Sequence, residues 1–115
     1  MEIYDKAHEL AAAIKDCQDY KDLVAAGQEL AKDEKTKHLV RDYLVLQAQL
    51  AYAQSMGDKP IRKKIEHLNQ MAELVKNNQA AMDYLNHYNK WQNMAGEVFQ
   101  IIQSAMAEGM SILDQ

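Results

Sequence analysis

Proline occurs once in these 115 residues, cysteine once and glycine four times, and each scarcity removes a class of protein. Gly27, Gly57, Gly96 and Gly109 stand isolated, so no glycine-rich loop exists to cradle a phosphate. Cys17 cannot form an internal disulfide, and a single thiol is too few for a zinc or iron–sulfur site within one protomer. It reads as a small, partly buried side chain. Serine appears only at Ser55, Ser104 and Ser111, none in a nucleophile elbow, and Cys17 has no histidine near it in sequence to serve as a base. No stretch approaches the roughly eighteen consecutive apolar residues of a membrane span. Met1 to Asp5 lack the basic-then-apolar layout of a signal peptide, so a cytosolic location is expected. Thirteen Lys and Arg against seventeen Asp and Glu leave a net charge of −4, which argues against a nucleic-acid grip built on broad phosphate neutralisation.

Strand signals are missing too, since nowhere do apolar and polar residues alternate strictly between turn signals. Ala, Leu, Gln, Lys, Glu and Met dominate, all good helix formers. The chain therefore predicts an all-α domain over residues 1–115, a bundle of helical hairpins with about five helices and a long C-terminal one. Ile3, Ala7, Leu10, Ala11 and Ile14 mark a first helix, interrupted by Asp16, Gln18 and Asp19. Tyr20, Leu23, Val24, Gly27 and Leu30 mark a second, with Asp19 as its expected cap. Asp33 is placed to cap a third, which carries Leu39, Val40, Tyr43, Leu46, Leu50 and Ala53 on one face and closes at Met56-Gly57. Pro60 suits the first turn of a fourth helix, where a missing amide hydrogen has no intrahelical partner. Ile61, Ile65, Leu68, Ala72 and Val75 form its seam, and Lys76 to Gln79 break it from the terminal helix.

The stretch from 78 to 113 is the most informative. Tyr84, Tyr88, Trp91, Ala95, Val98, Ile102, Ala105 and Gly109 trace one seam at alternating steps of three and four, and Leu85, Phe99, Ile101 and Met106 widen it. Such a helix would run about 50 Å, against a radius of gyration of about 13 Å for a compact domain of this length. Part of its apolar face should overhang its own protomer. The candidate interface is Tyr84, Tyr88, Trp91, Ala95, Val98, Phe99, Ile102 and Met106, with a second copy as the expected partner. Gly96 and Gly109, each costing up to about 1 kcal/mol in a helix relative to alanine, are read as a close helix approach and as fraying, respectively. Tyr, Trp and Met supply the adaptable surface that interfaces favour.

Chemistry has few candidates. Glu34, His38 and Asp42 share one face of the third helix, but donors stacked along about 12 Å are too spread for one ion; a solvated charged face is the better reading. Asp83 with His87 and Asp5 with His8 are surface pairs by the same reasoning, and the Glu-x-x-His pattern of di-iron bundles is absent. No catalytic residue, metal or cofactor is expected. Lys59, Arg62, Lys63 and Lys64 form the one basic cluster, and they carry the alternative reading of an RNA-associated accessory factor.

Several blocks carry a resemblance: Ile3 to Leu10 (IYDKAHEL), Tyr20 to Leu23 (YKDL), Asp33 to Tyr43 (DEKTKHLVRDY), and Leu46 to Leu50 (LQAQL) with Met56-Gly57 beyond it. In this order they resemble the YlbF/YmcA family, particularly its YheA-like branch, over nearly the whole chain. The resemblance implies a small cytosolic bacterial protein, all-helical, self-associating and without known catalytic activity. It also implies regulatory protein partners, since better-understood relatives belong to a complex that influences competence, biofilm formation and sporulation and assists maturation of messenger RNA. Those relatives hold iron–sulfur clusters through cysteines, some near the C-terminus; this chain ends Ser111-Ile112-Leu113-Asp114-Gln115 without one. The reading that results is a non-enzymatic, self-associating adaptor or regulatory subunit.

Overall fold

The computed structural model describes residues 1–114, so Gln115 lies outside it. Five α-helices succeed one another: α1 (Glu2–Asp16), α2 (Gln18–Leu30), α3 (Glu34–Ser55), α4 (Arg62–Lys76) and α5 (Gln79–Ser111), with a short 3-10 turn over Ile112–Asp114. No strand forms among the described residues. The first break falls at Cys17, whose backbone is extended at φ −70° and ψ 137°. Asp19 is therefore inside the first turn of α2 and does not cap it; its carboxylate instead meets Lys90 Nζ on α5 at 3.2 Å.

Two other helix starts are capped by side chains, and the caps are joined. Asp33 Oδ1 accepts from the Lys35 amide at 3.1 Å, and Asn78 Oδ1 accepts from the Ala81 amide at 3.0 Å, each satisfying a backbone donor left free by the first turn. Between them stands Thr36, which is buried. Its hydroxyl donates to Asp33 Oδ2 at 2.9 Å and accepts from Asn78 Nδ2 at 3.2 Å, so one hydroxyl ties the start of α3 to the start of α5. That hydrogen bond is the leading reason the Asp33 carboxyl sits below its ordinary pKa, with the Thr36 and Lys35 amides and the Lys35 charge adding to it.

The α3–α4 corner closes as expected at Gly57, the one described residue with positive φ (80°), where a side chain would be strained. Pro60 differs from expectation. Helix α4 begins at Arg62 behind an extended Ile61 (ψ 126°), which leaves Pro60 outside the first turn. Gly109 stands in the last turn of α5, which ends at Ser111 and passes into the 3-10 turn.

Packing is centred on the N-terminal half of α5. Helix α2 lies antiparallel along it, as the pairs Gly27 with Tyr84, Tyr20 with Trp91, and Cys17 with Met94 show. The base of the α3–α4 hairpin closes the same ground. Leu30, Val40, Val75, Ala81 and Leu85 form the core there, flanked by Leu39, Tyr43, Leu44 and Tyr84. Helix α1 buries no residue. The molecule is consequently flat, with principal extents of 46 × 38 × 17 Å and a radius of gyration of 18.1 Å. A depth of 17 Å admits at most two packed helices.

Replacing Asn78 with Ala removes the α5 cap and the link to Thr36 together. The expected loss is about 1–2 kcal/mol of unfolding free energy in denaturant titration.

Candidate functional site

The predicted seam of α5 divides in two. Its first part is occupied within the protomer: Tyr84 packs on the core beside Gly27, whose position would bring a Cβ to 3.4 Å of the Tyr84 ring. Tyr88 stacks on Tyr84 with ring centroids 6.1 Å apart, and its hydroxyl accepts from Gln92 Nε2 at 2.7 Å. Trp91 meets Tyr20 edge-on at 5.4 Å. Burial raises the Tyr84 pKa, and the neighbouring Tyr88 raises it further, because a phenolate there would be both desolvated and repelled.

The second part of the seam has no such cover. Phe99 is 60% exposed, Met106 52% and Ile102 43%, and Ile101 and Met110 are more open still. A groove of about 410 Å³ lies between α1 and the second part of α5. Leu10, Ala13, Ile14 and Cys17 form one wall, and Trp91, Met94, Ala95, Val98, Phe99 and Ile102 the other. Every lining residue is apolar apart from the Cys17 thiol, whose Sγ lies 3.9 Å from Met94 Sδ. Ile3 and Tyr4 continue the exposed apolar surface toward the start of α1. Leu10, Ala13 and Met94 belong to this site and were not among the expected interface residues; the apolar spacing of α1 was the signal that could have located its wall.

Gly96 was expected to mark a close helix approach; within the protomer a Cβ built there meets nothing within 4 Å, so none is made inside one chain. The position of close approach is Gly27, against Tyr84.

A further unpartnered surface lies on the hairpin. Helix α3 buries Val40 and Leu46, with Tyr43 and Leu50 half-buried beside them, yet Val45, Ala48, Tyr52 and Met56 recur at steps of three and four on its opposite side and are exposed. At the corner Ile61 lies near Leu50 and Ala53 and is 58% exposed, and Ile65 is 37% exposed. The basic cluster is here too. Arg62 Nε pairs with Glu66 Oε1 at 3.2 Å, whereas Lys59, Lys63 and Lys64 have no ion-pair partner among the described residues. Helix α4 also lacks an acidic residue in its first turn and a side-chain cap, so its positive end meets three cations with nothing to offset them.

Glu34, His38 and Asp42 do not converge on a common point. His38 Nε2 faces Glu34 Oε1 at 3.3 Å, its Nδ1 lies 3.0 Å from Arg41 Nη2, and Asp42 faces Arg41 Nε at 3.8 Å. Among the described residues no group of three or more His, Cys, Asp or Glu side chains is placed to hold a metal. No helix of the described residues is long and apolar enough to cross a membrane.

Known proteins share both the sequence pattern and the fold. Residues 3–107 match the family described as control of competence regulator ComK, YlbF/YmcA. A UPF0342 protein of Caldicellulosiruptor saccharolyticus is 27% identical over 113 residues, covering 98% of this chain and 91% of the relative. Those of Clostridium tetani and Desulfitobacterium hafniense are 25% identical over 111 residues (96% of each chain) and 29% identical over 108 residues (94% and 87%). Among solved structures, a chain of Bacillus subtilis RicA in complex with RicF superposes with a TM-score of 0.59 at 20% identity, covering 95% of this chain and 96% of that one. At that identity the likeness concerns the fold.

Two outcomes are expected. Gly96→Ala should raise the unfolding free energy by up to about 1 kcal/mol, because the added methyl enters open space and favours helix. For Tyr84, a folded-state pKa above the unfolded one means stability that is complete below about pH 10 and lost as pH rises through the folded value. Alkaline unfolding monitored by circular dichroism should therefore begin later in Tyr84→Phe than in the parent chain.

Proposed function

We propose that this chain, which belongs to the YlbF/YmcA family, is a non-enzymatic adaptor that self-associates through the α1–α5 groove and presents a regulatory partner with a composite helical surface. The observation that carries the reading is area. The protomer exposes 9202 Å², whereas a folded monomer of 13.1 kDa is expected to expose about 6,400 Å². The excess, about 2,800 Å² per chain and so about 5,600 Å² for a pair, is at the upper end of what obligate interfaces bury in total, and much exposed apolar surface is concentrated at the groove and the hairpin.

Binding is favoured over catalysis because the groove offers dispersion and burial and almost no titratable group. Catalytic pockets set a few polar groups into such walls; this one holds a thiol against a thioether. The RicA–RicF structure supports the reading in kind, since a protein of the same fold is there assembled with a protein partner. The family description points the adaptor toward control of competence, and a cytoplasmic site of action follows from that role.

Sedimentation equilibrium at micromolar concentration tests the reading. The parent chain should sediment as a dimer or larger, and Phe99→Glu with Ile102→Glu should give monomers, since each buried apolar side chain of this size contributes roughly 1.5–3 kcal/mol. A parent chain that is monomeric and fully helical would overturn it.

A further inference from the structure

Resting on the self-association reading, we propose that the occupant of the α1–α5 groove is the same half of α5 from a second copy, running antiparallel, with Val98 opposite the partner's Ile102, Ala95 opposite the partner's Ala105 and Trp91 opposite the partner's Gly109.

The protomer has two arms, the α3–α4 hairpin and the half of α5 beyond Trp91 with α1 across the groove from it. On the second arm ten large apolar side chains, three of α1 and seven beyond Trp91, are 38–85% exposed. A stable pair needs about 800 Å² from each partner. At roughly 60–120 Å² apiece, the area that corresponds to burying one such side chain, these ten supply it. No charge need be buried with them. From Trp91 to Ser111 the only charged residues are Glu97 and Glu108, and helical spacing turns both away from the groove.

The open stretch of α5 fits a copy of itself. Cover from α2 reaches Trp91, which meets Tyr20, and the helix ends at Ser111, so the middle of the stretch lies at Ile101. An antiparallel pair centred near that level covers each open stretch with the other, and the inner halves, with α2 and the hairpins, stay outside the contact.

Spacing then selects the register. Trp91, Ala95, Val98, Ile102, Ala105 and Gly109 follow steps of four, three, four, three and four, an order that reads the same in both directions, so a two-fold copy meets seam with seam at every level. Shifting by one heptad fails either way. One shift sets the partner's Ser111 level with Met82, in the half that α2 and the hairpin already cover; the other leaves Trp91 and Ala95 beyond the end of the partner's helix. Sizes match in the chosen register as well. Valine meets isoleucine, alanine meets alanine, and Trp91 meets Gly109, where a Cβ finds nothing within 4 Å inside the protomer.

The test uses the full-length chain. In a Cys17→Ala background, a chain carrying Ala95→Cys mixed with one carrying Ala105→Cys should form a disulfide-linked pair under mild oxidation, and neither should link to itself, because the bond needs Cβ atoms about 4 Å apart. Gly109→Leu should raise the dimer dissociation constant roughly tenfold or more by overfilling the space against Trp91, with helix content by circular dichroism undiminished. Self-linkage of Ala95→Cys, an unlinked mixture, or a Gly109→Leu chain that dimerises as tightly as the parent would overturn the arrangement while leaving self-association intact. Val45→Cys self-linkage in such a dimer would assign the contact to the outer face of α3 instead. A parent chain that stays monomeric would overturn both readings and leave the groove to a different protein.

Discussion

One half of one helix carries the packing of this protein. The first four turns of α5 receive α2 along one side and the base of the α3–α4 hairpin along another, and the core residues Leu30, Val40, Val75, Ala81 and Leu85 all lie at that meeting point. Beyond Trp91 the same helix continues with α1 facing it only across the groove, and α1 buries none of its residues. Helix geometry makes this unavoidable. A helix of 33 residues is about 50 Å long, and the three helices packed on its first half cannot also cover its second.

The polar relay at the base of the hairpin fixes how the arms depart. Asn78, Thr36 and Asp33 connect two helix starts through a single buried hydroxyl, so the direction of α3 is referred to the direction of α5 and not to a flexible loop. A satisfied buried network of this sort specifies geometry more than it adds stability. Its consequence is mechanical: the hairpin projects as a defined arm, and its corner has a fixed position relative to the groove.

Function rests on the surface the arms leave open. An enzyme concentrates polar groups in its concavity, and this chain keeps its polar groups on the outer faces while its groove holds almost none. The hairpin corner gathers Lys59, Arg62, Lys63 and Lys64, although the whole chain has a net charge of −4. Exposed charge of this kind steers association more than it holds a fold together, in keeping with the adaptor role proposed for this chain.

Much of the fold was legible in the residues. Helical periodicity, the Asp33 and Gly57 ends and the length of α5 are local properties, set by side-chain spacing and by the backbone needs of helix termini, and the structure bears them out. Val98, Phe99, Ile102 and Met106 could be placed on one face for the same reason. Other features depend on the segment lying opposite, which spacing does not encode. Asp19 looked like a cap and instead meets Lys90, Gly27 and not Gly96 is the close approach within the protomer, and Tyr84 turned onto the core while Trp91 meets Tyr20 at the edge of the groove. The second face of α3 was hidden because Val45, Tyr52 and Met56 read as ordinary helix filling until Val40 and Leu46 were seen to be buried on the other side. The sequence by itself determined the helices, their ends and the excess of apolar surface, because these arise from interactions within a few turns. Tertiary structure alone decided which of that surface is covered, because burial is a relation between distant segments.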